Sequence, residues 1–216
     1  MLRADLHIHT NYSDGRDSVR KILEAAIAKN LDIIAITDHN TMQGSLEAMN
    51  IVKEEHLPII VLPGVEISAK EGHVLVYGIK NEVEPGISIK EISKIVKKRE
   101  GVLALAHPFN FLRKGVFNPF KFVDHIDAIE VFNAKSYIGV TNIFSRCLCN
   151  KYGKTMIAGS DAHSAEMVGY GITFFNGTRS IAQILNDIRN GKTSIGGRRI
   201  PLLLQIKYTK SKVIKW

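Results

Sequence analysis

Two histidines stand two residues apart near the start of the chain, at His7 and His9 in the stretch DLHIHTNYSDG. Side chains of a strand alternate between its two faces, so both imidazoles project to one side of the predicted strand. Neighbouring imidazoles repel each other when both are protonated, whereas a neutral pair can hold a cation. The spacing therefore predicts a metal-binding strand end.

Residues of the same chemical kind recur at the boundaries of the later predicted strands. A lone histidine there is more often a hydrogen-bonded structural residue. A random distribution along the chain does not readily place so many histidines and acidic residues at strand ends. Nitrogen and oxygen ligands in this number suit two or three divalent ions, and the lack of a thiolate disfavours a closed structural zinc site. We predict Zn, Mn or Fe ions with the candidate ligands His7, His9, Asp14, His39, Glu66, His73, His107, Asp161 and His163.

The other two histidines, His56 and His125, have no such context, and we predict that they are structural or exposed.

Hydrophobic periodicity predicts strands that alternate with helices. The predicted strands cover 2–9, 32–37, 59–66, 74–78, 102–106, 128–132, 156–160 and 172–175, and the predicted helices cover 18–30, 41–56, 89–100, 137–152 and 179–190. Such alternation implies a mainly parallel sheet, and about six or seven β/α units in a chain of this length favour a small barrel. No G-x-G-x-x-G follows the first strand, so a dinucleotide-binding fold has no support.

A barrel would bring the ionisable residues to one rim, because the carboxyl ends of all its strands open on the same face. His73 is the exception, since it stands at the beginning of its predicted strand. Either that strand runs differently from its neighbours or its loop folds inward.

Length and composition fit one soluble domain. The 216 residues predict a single domain over 1–216, with the motif-bearing barrel at about 2–175 and a basic C-terminal strand region that completes it. Neither a leader segment nor an apolar run long enough to span a bilayer is visible, so we predict a cytoplasmic protein without membrane association. Cys147 and Cys149 fit packing positions of a helix in a reducing compartment. The net charge of +8 fits either a solvated surface or a preference for anionic substrates.

The motifs together resemble the PHP (polymerase and histidinol phosphatase) family. The matching pieces occur in order and cover residues 2 to about 175. They are D-L-H-I-H-T at 5–10, S-D-G at 13–15, A-I-T-D-H-N at 35–40, G-V-E at 64–66, G-H-V-L-V-Y-G at 72–78, A-H-P at 106–108, I-E-V-F at 129–132 and G-S-D-A-H at 159–163.

The resemblance implies a distorted (β/α)7 TIM-like barrel with a two- or three-metal centre that hydrolyses phosphoesters. Carried over by position, His7, His9, Glu66 and Asp161 would hold a first ion, and Glu66 would bridge to a second held by His73 and His107. A third ion would be held by Asp14, His39 and His163. Asp38 and Glu130, together with Asp5, would orient the ligating imidazoles and so support catalysis.

The implied reaction needs no Ser or Cys nucleophile, because a metal-activated hydroxide attacks the phosphorus in line with the leaving oxygen. Cations in loops that follow strand ends are the candidates for binding the phosphate, namely Arg16, Lys70, Arg113 and Lys135. Arg198 and Arg199 could reach the mouth of the same predicted site, or they could lie in a hairpin. Family members that act on nucleotides often carry an inserted segment over the site, but only Ile-Ser-Ala-Lys-Glu-Gly separates Glu66 from His73 here.

Three other functions stay open. An amidohydrolase-like enzyme also begins with H-x-H, but it usually needs a metal-bridging carbamylated lysine. A nuclease acting on short oligonucleotides would suit the basic balance, although the phenylalanines of Phe109–Phe122 are expected to be a packed flap. A non-catalytic metal-binding or partner-binding protein would not need an open polynuclear centre. The predicted partner is a small phosphorylated substrate or a nucleotide, with nucleic acid as the second choice, and the sequence leaves the oligomeric state open.

Overall fold

The computed structural model describes residues 1–137, 139–177 and 179–213, with side chains described to residue 208. Strands β1–β10 are Leu2–Ile8, Ile33–Ile36, Ile60–Val61, Gly64–Ala69, Gly72–Tyr77, Val102–Leu105, Ala128–Asn133, Thr155–Gly159, Gly171–Phe175 and Thr193–Gly197. Helices α1–α6 are Val19–Ala28, Gln43–Glu54, Ile89–Lys98, Val140–Lys151, Ile181–Arg189 and Leu202–Val213. Each predicted element is therefore present, and the predicted strand at 59–66 is divided by a break at Leu62–Pro63.

The described strands form two five-stranded sheets, in the orders β10-β9-β1-β2-β3 and β4-β5-β6-β7-β8. Pairs β1–β2, β2–β3, β6–β7 and β7–β8 are parallel, whereas β1–β9, β9–β10, β4–β5 and β5–β6 are antiparallel. The prediction of a mainly parallel sheet was therefore wrong. A short connection such as Lys70–Glu71 leaves no room for a crossover helix, so β4 and β5 pair as a hairpin.

A closed barrel is not confirmed in the described part of the chain. The two sheets meet along their edges through single bridges, Ile8 with Ala162 and His39 with Glu66. Near these seams the backbone leaves the extended conformation, with φ of 53° at Asp161 and 56° at Asn40. Ladder pairing therefore stops where the candidate ligands begin.

The antiparallel direction of β5 resolves the position of His73. In the β4–β5 hairpin His73 pairs with Ser68, so the beginning of β5 lies beside the end of β4. His73 consequently joins the same rim as the carboxyl ends of the parallel strands.

A hydrophobic cluster between the two sheets holds the scaffold together. Leu6, Leu75 and Tyr77 are fully buried within it, and the Tyr77 hydroxyl donates to the Leu6 carbonyl at 2.9 Å. Helix α5 contributes Ile184 and Ile188 to the same cluster. Burial of large apolar side chains of this kind stabilises the fold by roughly 1.5–3 kcal/mol each.

The region after β9 differs in part from the sequence prediction. Strand β10 is the predicted C-terminal strand, but helix α6 follows it and was not predicted. Arg199 donates to the Tyr137 carbonyl at 2.9 Å, and the Arg198 guanidinium lies 5.0 Å from the Tyr170 ring centroid. Cys147 is exposed and Cys149 is buried, and both are free thiols. Among the described helices none is long and apolar enough to cross a membrane.

Candidate metal centre

The candidate ligands converge from both sheets on one buried cluster. His7 and His9 come from the end of β1, Glu66 from β4, and His107 follows β6. His7 and His9 are fully buried, and Glu66 is 1% exposed. Burial of this many ionisable groups is costly unless each is paired or holds a cation.

Glu66 lies at the centre of the cluster. Its Oε2 atom is 3.3 Å from His7 Nε2, 3.2 Å from His9 Nε2 and 3.3 Å from His39 Nδ1. Its Oε1 atom is 3.1 Å from His73 Nδ1 and 3.0 Å from His107 Nε2. Burial alone would raise the pKa of Glu66, but His7 and the hydrogen-bonding imidazoles hold that pKa well below its usual range. Glu66 is thus an ionised carboxylate with imidazoles at both oxygens, as expected for a group that bridges two cations.

Glu130 supports the imidazole of His7 and the backbone of His107. Its Oε1 atom is 3.0 Å from His7 Nδ1, and its Oε2 atom accepts the His107 backbone N–H at 2.8 Å. Burial would lower the pKa of His7, but Glu130, Glu66 and Asp161 outweigh it and raise that pKa well above its usual value. A carboxylate on the far ring nitrogen is the usual support of a metal-binding histidine.

Asp161 accepts contacts from two cations of the rim. Arg113 Nη1 lies 2.7 Å from its Oδ2 atom, and Lys135 Nζ lies 3.4 Å from its Oδ1 atom. Lys135 Nζ is also 2.8 Å from Nδ1 and 3.0 Å from Nε2 of His163. Burial lowers the pKa of Lys135 to about 8, while Lys135 and Arg113 hold the pKa of Asp161 well below its usual range against the effect of burial.

Asp14, His39 and His163 lie at the outer side of the cluster. His163 Nε2 is 3.0 Å from Asp14 Oδ2, whereas His39 Nε2 is 3.8 Å from Asp14 Oδ1. His39 Nδ1 lies 3.3 Å from Glu66 Oε2, so His39 is closer to Glu66 than to Asp14. Burial lowers the pKa of His39 to about 4, so its ring is neutral and able to donate a lone pair at neutral pH.

Asp38 contacts hydroxyl and amide groups instead of an imidazole. It accepts from the Thr10 backbone N–H at 2.7 Å, the Thr10 hydroxyl at 2.6 Å and the Ser13 hydroxyl at 2.6 Å. A Cβ atom at Gly44 would collide with its Oδ2 atom. Asp38 therefore joins the loop after β1 to the end of β2, rather than orienting a ligand directly.

Asp5 also lies away from the imidazole rings. It accepts the Ser160 N–H at 2.9 Å and the Gly169 N–H at 2.7 Å, and burial raises its pKa to about 6. These bonds attach the segments that flank Asp161 to strand β1.

The four phosphate-binding candidates do not share one location. Arg113 and Lys135 line a cavity of about 650 Å³ whose floor includes Glu66 and His107. Arg16 lies 4.9 Å from the centroid of the Tyr208 ring at the side of that cavity. Lys70 is exposed in the turn of the β4–β5 hairpin and is not among the cavity-lining residues in the described part of the chain.

The two histidines predicted to lie elsewhere do so. His56 is exposed, and His125 is half-buried with its carbonyl accepting from Ser93 Oγ at 2.6 Å.

Sequence reasoning missed two residues of the centre. Asn133, at the end of β7, donates to Glu130 Oε2 at 3.1 Å and to Asp161 Oδ2 at 3.2 Å. Gly159 leaves room for His7, because a Cβ atom at Gly159 would collide with the His7 Cβ atom. The sequence offered one signal for Asn133, which is its position three residues after Glu130. The role of Gly159 could not be predicted, because it depends on the packing of β8 against β1.

The residues fit divalent metal ions. Ring nitrogens Nδ1 of His9 and His107 are buried and make no hydrogen bond within the described residues, and the close approaches of His39 Nδ1 and His73 Nδ1 to Glu66 lack hydrogen-bond geometry. Leaving such groups unpaired costs about 1–3 kcal/mol each, a cost that a bound cation removes. Among the residues that the structure describes, ligand atoms lie within 4.8 Å of one another in five groups of three: His7-His9-Glu66, His7-His107-Asp161, His9-Asp14-His39, His9-Asp161-His163 and His39-Glu66-His73. Imidazole and carboxylate donors of this kind suit Zn, Mn and Fe.

Known proteins are similar to this chain in sequence and in fold. The family model of the PHP domain matches residues 5–190. An uncharacterized protein of Methanocaldococcus jannaschii is 32% identical over 152 residues, which are 65% of this chain and 87% of that protein. The phosphoribosyl 1,2-cyclic phosphate 1,2-diphosphodiesterase of Eggerthella lenta is 33% identical over 82 residues, which are 35% of this chain and 30% of that enzyme.

The fold is similar to that of a two-domain protein from Bacteroides vulgatus, described as containing a predicted PHP-like metal-dependent phosphoesterase. The TM-score is 0.77 at 21% sequence identity, over 91% of this chain and 65% of that one.

Proposed function

The chain belongs to the PHP family, and on that premise we propose that it is a metal-dependent phosphoesterase acting on small phosphorylated molecules. The observation that carries the proposal is the position of Glu66, whose two carboxylate oxygens lie 3.0–3.3 Å from five imidazoles supplied by both sheets. A relative with a named activity, the Eggerthella lenta enzyme, acts on a cyclic phosphate ester, which supports the same class of substrate.

We propose the following ligands for two or three divalent ions. His7, His9, Glu66 and Asp161 would hold the first, Glu66 would share the second with His73 and His107, and Asp14 and His163 would hold the third. His39 belongs to the third site by resemblance, but its shorter distance to Glu66 favours a position between the second and third sites. When bound, the ions lower the pKa of a water molecule towards neutrality and neutralise the phosphoryl oxygens.

The cations of the rim have a separate role in this proposal. Arg113 and Lys135 line the cavity and approach Asp161 from its open side. A phosphoryl group that enters the cavity can accept charge-assisted hydrogen bonds from both side chains. They would thus position the substrate, while Glu130 and Asn133 hold the ligands beneath it.

The architecture and the cellular setting complete the proposal. We propose a single domain over residues 1–216 whose two sheets are the halves of a distorted (β/α)7 barrel, supported by the shared cluster between them and the two seam bridges. A cytoplasmic location is supported by the two free thiols, Cys147 and Cys149.

The rival amidohydrolase chemistry needs a bridging carbamylated lysine. The bridging position between the imidazoles holds Glu66, and the buried lysine Lys135 instead contacts Asp161 and His163 at the rim. This arrangement favours phosphoesters over amides as substrates.

The test measures hydrolysis in the presence of Mn²⁺, Zn²⁺, Mg²⁺ or Fe²⁺. Phosphate release is followed with nucleotides, histidinol phosphate, sugar phosphates and short oligonucleotides, and amide cleavage is followed with amide substrates. We expect metal-dependent phosphate release that is lost in His39→Ala and in Asp161→Asn, with Asp124→Asn on the surface as the matched control. Full activity of the double variant His39→Ala/Asp161→Asn in the presence of excess metal, or amide cleavage without phosphate release, would contradict the proposal. Circular dichroism would verify that the variants are folded.

A further inference from the structure

A surface rich in aromatic rings borders the mouth of the cavity. We call it the aromatic strip, and it consists of Phe109, Phe111, Phe117, Phe120, Phe144 and Tyr152. Sequence analysis predicted that the phenylalanines of 109–122 form a packed flap, but Phe117 is 77% exposed and Phe111 is 57% exposed. Contiguous exposed apolar surface of this kind is rare in monomeric proteins and marks an interaction site.

The rings of the strip form two groups of neighbours. Phe109 contacts Phe120 with 6.0 Å between centroids and Phe144 with 5.9 Å, and Phe120 contacts Tyr152 at 6.5 Å. Phe111 and Phe117 form a second pair at 5.1 Å. The segment that carries them also reaches the cavity, because Leu112, Arg113 and Lys114 line it.

The backbone of the strip is held in place by specific contacts. The His73 N–H donates to the Lys114 carbonyl at 2.9 Å, and the Gly115 N–H donates to the Asn110 carbonyl at 2.9 Å. A Cβ atom at Gly115 would lie 2.9 Å from the Asn110 nitrogen, so the turn requires glycine there. The rings are therefore presented on a fixed surface, which lowers the entropic cost of binding a partner.

The charge around the strip selects a polyanion. Segments 101–123 and 131–160, which carry the rings, contain none of the 21 acidic residues, and of the three acidic residues between these segments Asp124 is exposed. The same segments carry the basic residues Arg113, Lys114, Lys121, Lys135, Arg146, Lys151 and Lys154. Lys151 Nζ lies 5.9 Å from the Phe120 ring centroid and 5.4 Å from that of Tyr152, so one cation lies beside two rings of the strip. A second copy of the chain would bring like charges together, which disfavours self-association through this face.

From the exposed rings, the neighbouring cations and the excess of basic over acidic residues, we propose that the aromatic strip binds single-stranded nucleic acid. Bases would stack on the exposed faces of Phe111, Phe117 and Phe120, while Lys121 and Lys151 pair with the phosphates. This inference goes beyond the proposed hydrolysis, because the strip lies outside the metal cluster and binding there requires no turnover.

The test measures binding in the presence of EDTA, so that failure of the proposed hydrolysis leaves the result unaffected. Fluorescence anisotropy would follow a labelled oligodeoxythymidine of about twelve nucleotides and the corresponding duplex. We expect the single strand to bind more tightly than the duplex, and Phe117→Ala/Phe120→Ala to weaken single-strand binding by about tenfold or more. Phe117→Ala alone, at the most exposed ring, serves as the variant that removes the least packing.

The charge contribution needs its own pair of variants. Lys121→Glu/Lys151→Glu should weaken binding and reduce the dependence of log Kd on log salt by about two phosphate contacts. Lys53→Glu/Lys192→Glu makes the same change in net charge at exposed positions elsewhere and should leave a much smaller effect. An equal loss of affinity in the two double lysine variants, or unchanged affinity in the phenylalanine variants, would overturn the proposal. Tighter binding to anionic vesicles than to the oligonucleotide, or a dimer that the phenylalanine substitutions abolish, would overturn it as well.

Discussion

The floor and the rim of the cavity are built in different ways. On the floor, His7, His9 and Glu66 are almost fully buried and stand on strands whose pairing fixes their spacing. On the rim, Arg113 and Lys135 come from loops and contact Asp161 with side chains that are 15% and 16% exposed. Strands set the distances between ligands, whereas long flexible side chains on loops can follow a substrate. The difference fits the proposal above, in which the floor would hold the ions and the rim would bind the substrate.

The largest effect should follow the removal of the central charge of the floor. Glu66→Gln keeps the shape of the side chain but leaves the surrounding imidazoles without their carboxylate. We expect loss of bound metal and a fall in phosphate release of about a thousandfold, which corresponds to several kcal/mol of stabilisation by the ions. Plasma emission spectrometry would count the retained ions, and Glu54→Gln on the exposed face of α2 is the matched control. Retention of metal and rate by Glu66→Gln would refute the assignment of the floor.

A smaller effect on the floor should follow from Glu130→Gln. This substitution weakens the support of His7 Nδ1 and of the His107 backbone without removing a ligand. Metal affinity should fall by about 10- to 100-fold, as is usual when the partner of a ligating histidine is changed. Titration against a competing chelator measures this, and excess metal should restore much of the activity. A loss that excess metal cannot restore would indicate that Glu130 acts on the reaction itself.

A substitution at the rim should change KM rather than metal affinity. Lys135→Met removes one cation from the cavity wall while the floor stays intact. We expect KM to rise by about tenfold, the value of one charge-assisted hydrogen bond, with little change in kcat. Metal affinity should not fall, because Lys135 competes with a divalent ion for Asp161 and His163. Lys53→Met is the control, and a drop in metal content of Lys135→Met would place this lysine among the supports of the floor.

The smallest effect concerns pH. Burial lowers the pKa of Lys135 to about 8, so its ammonium is charged below that pH and neutral above it. Substrate binding through this group should therefore weaken as the pH rises through 8, and KM should increase several-fold. Lys135→Arg stays charged throughout and should have a flatter KM profile. A wild-type profile as flat as that of the arginine variant would show that Lys135 does not bind the substrate.

The floor was easier to predict from the sequence than the rim. His7, His9 and Glu66 belong to contiguous motifs at strand ends, where alternation and topology determine which way a side chain faces. The direction of β5 was not predicted, because a hairpin with the turn Lys70–Glu71 and a crossover strand have the same hydrophobic pattern. The contacts of Arg113 and Lys135 with Asp161 depend on loop conformations that no local pattern encodes. The exposure of Phe117 was likewise missed, since phenylalanine in a short apolar segment usually indicates core packing.

The β4–β5 hairpin has a practical consequence for altering this protein. Glu66 and His73 are held in register by the ladder between them, in which Ser68 pairs with His73. The turn at Lys70–Glu71 lies beyond both residues, so segments grafted into it would not shift either one. Loop closure becomes only slightly less favourable as a loop grows, by about 0.6 kcal/mol for each doubling of its length. This turn is therefore the point at which a cover of chosen size and chemistry can be engineered over the mouth while the positions of Glu66 and His73 are retained.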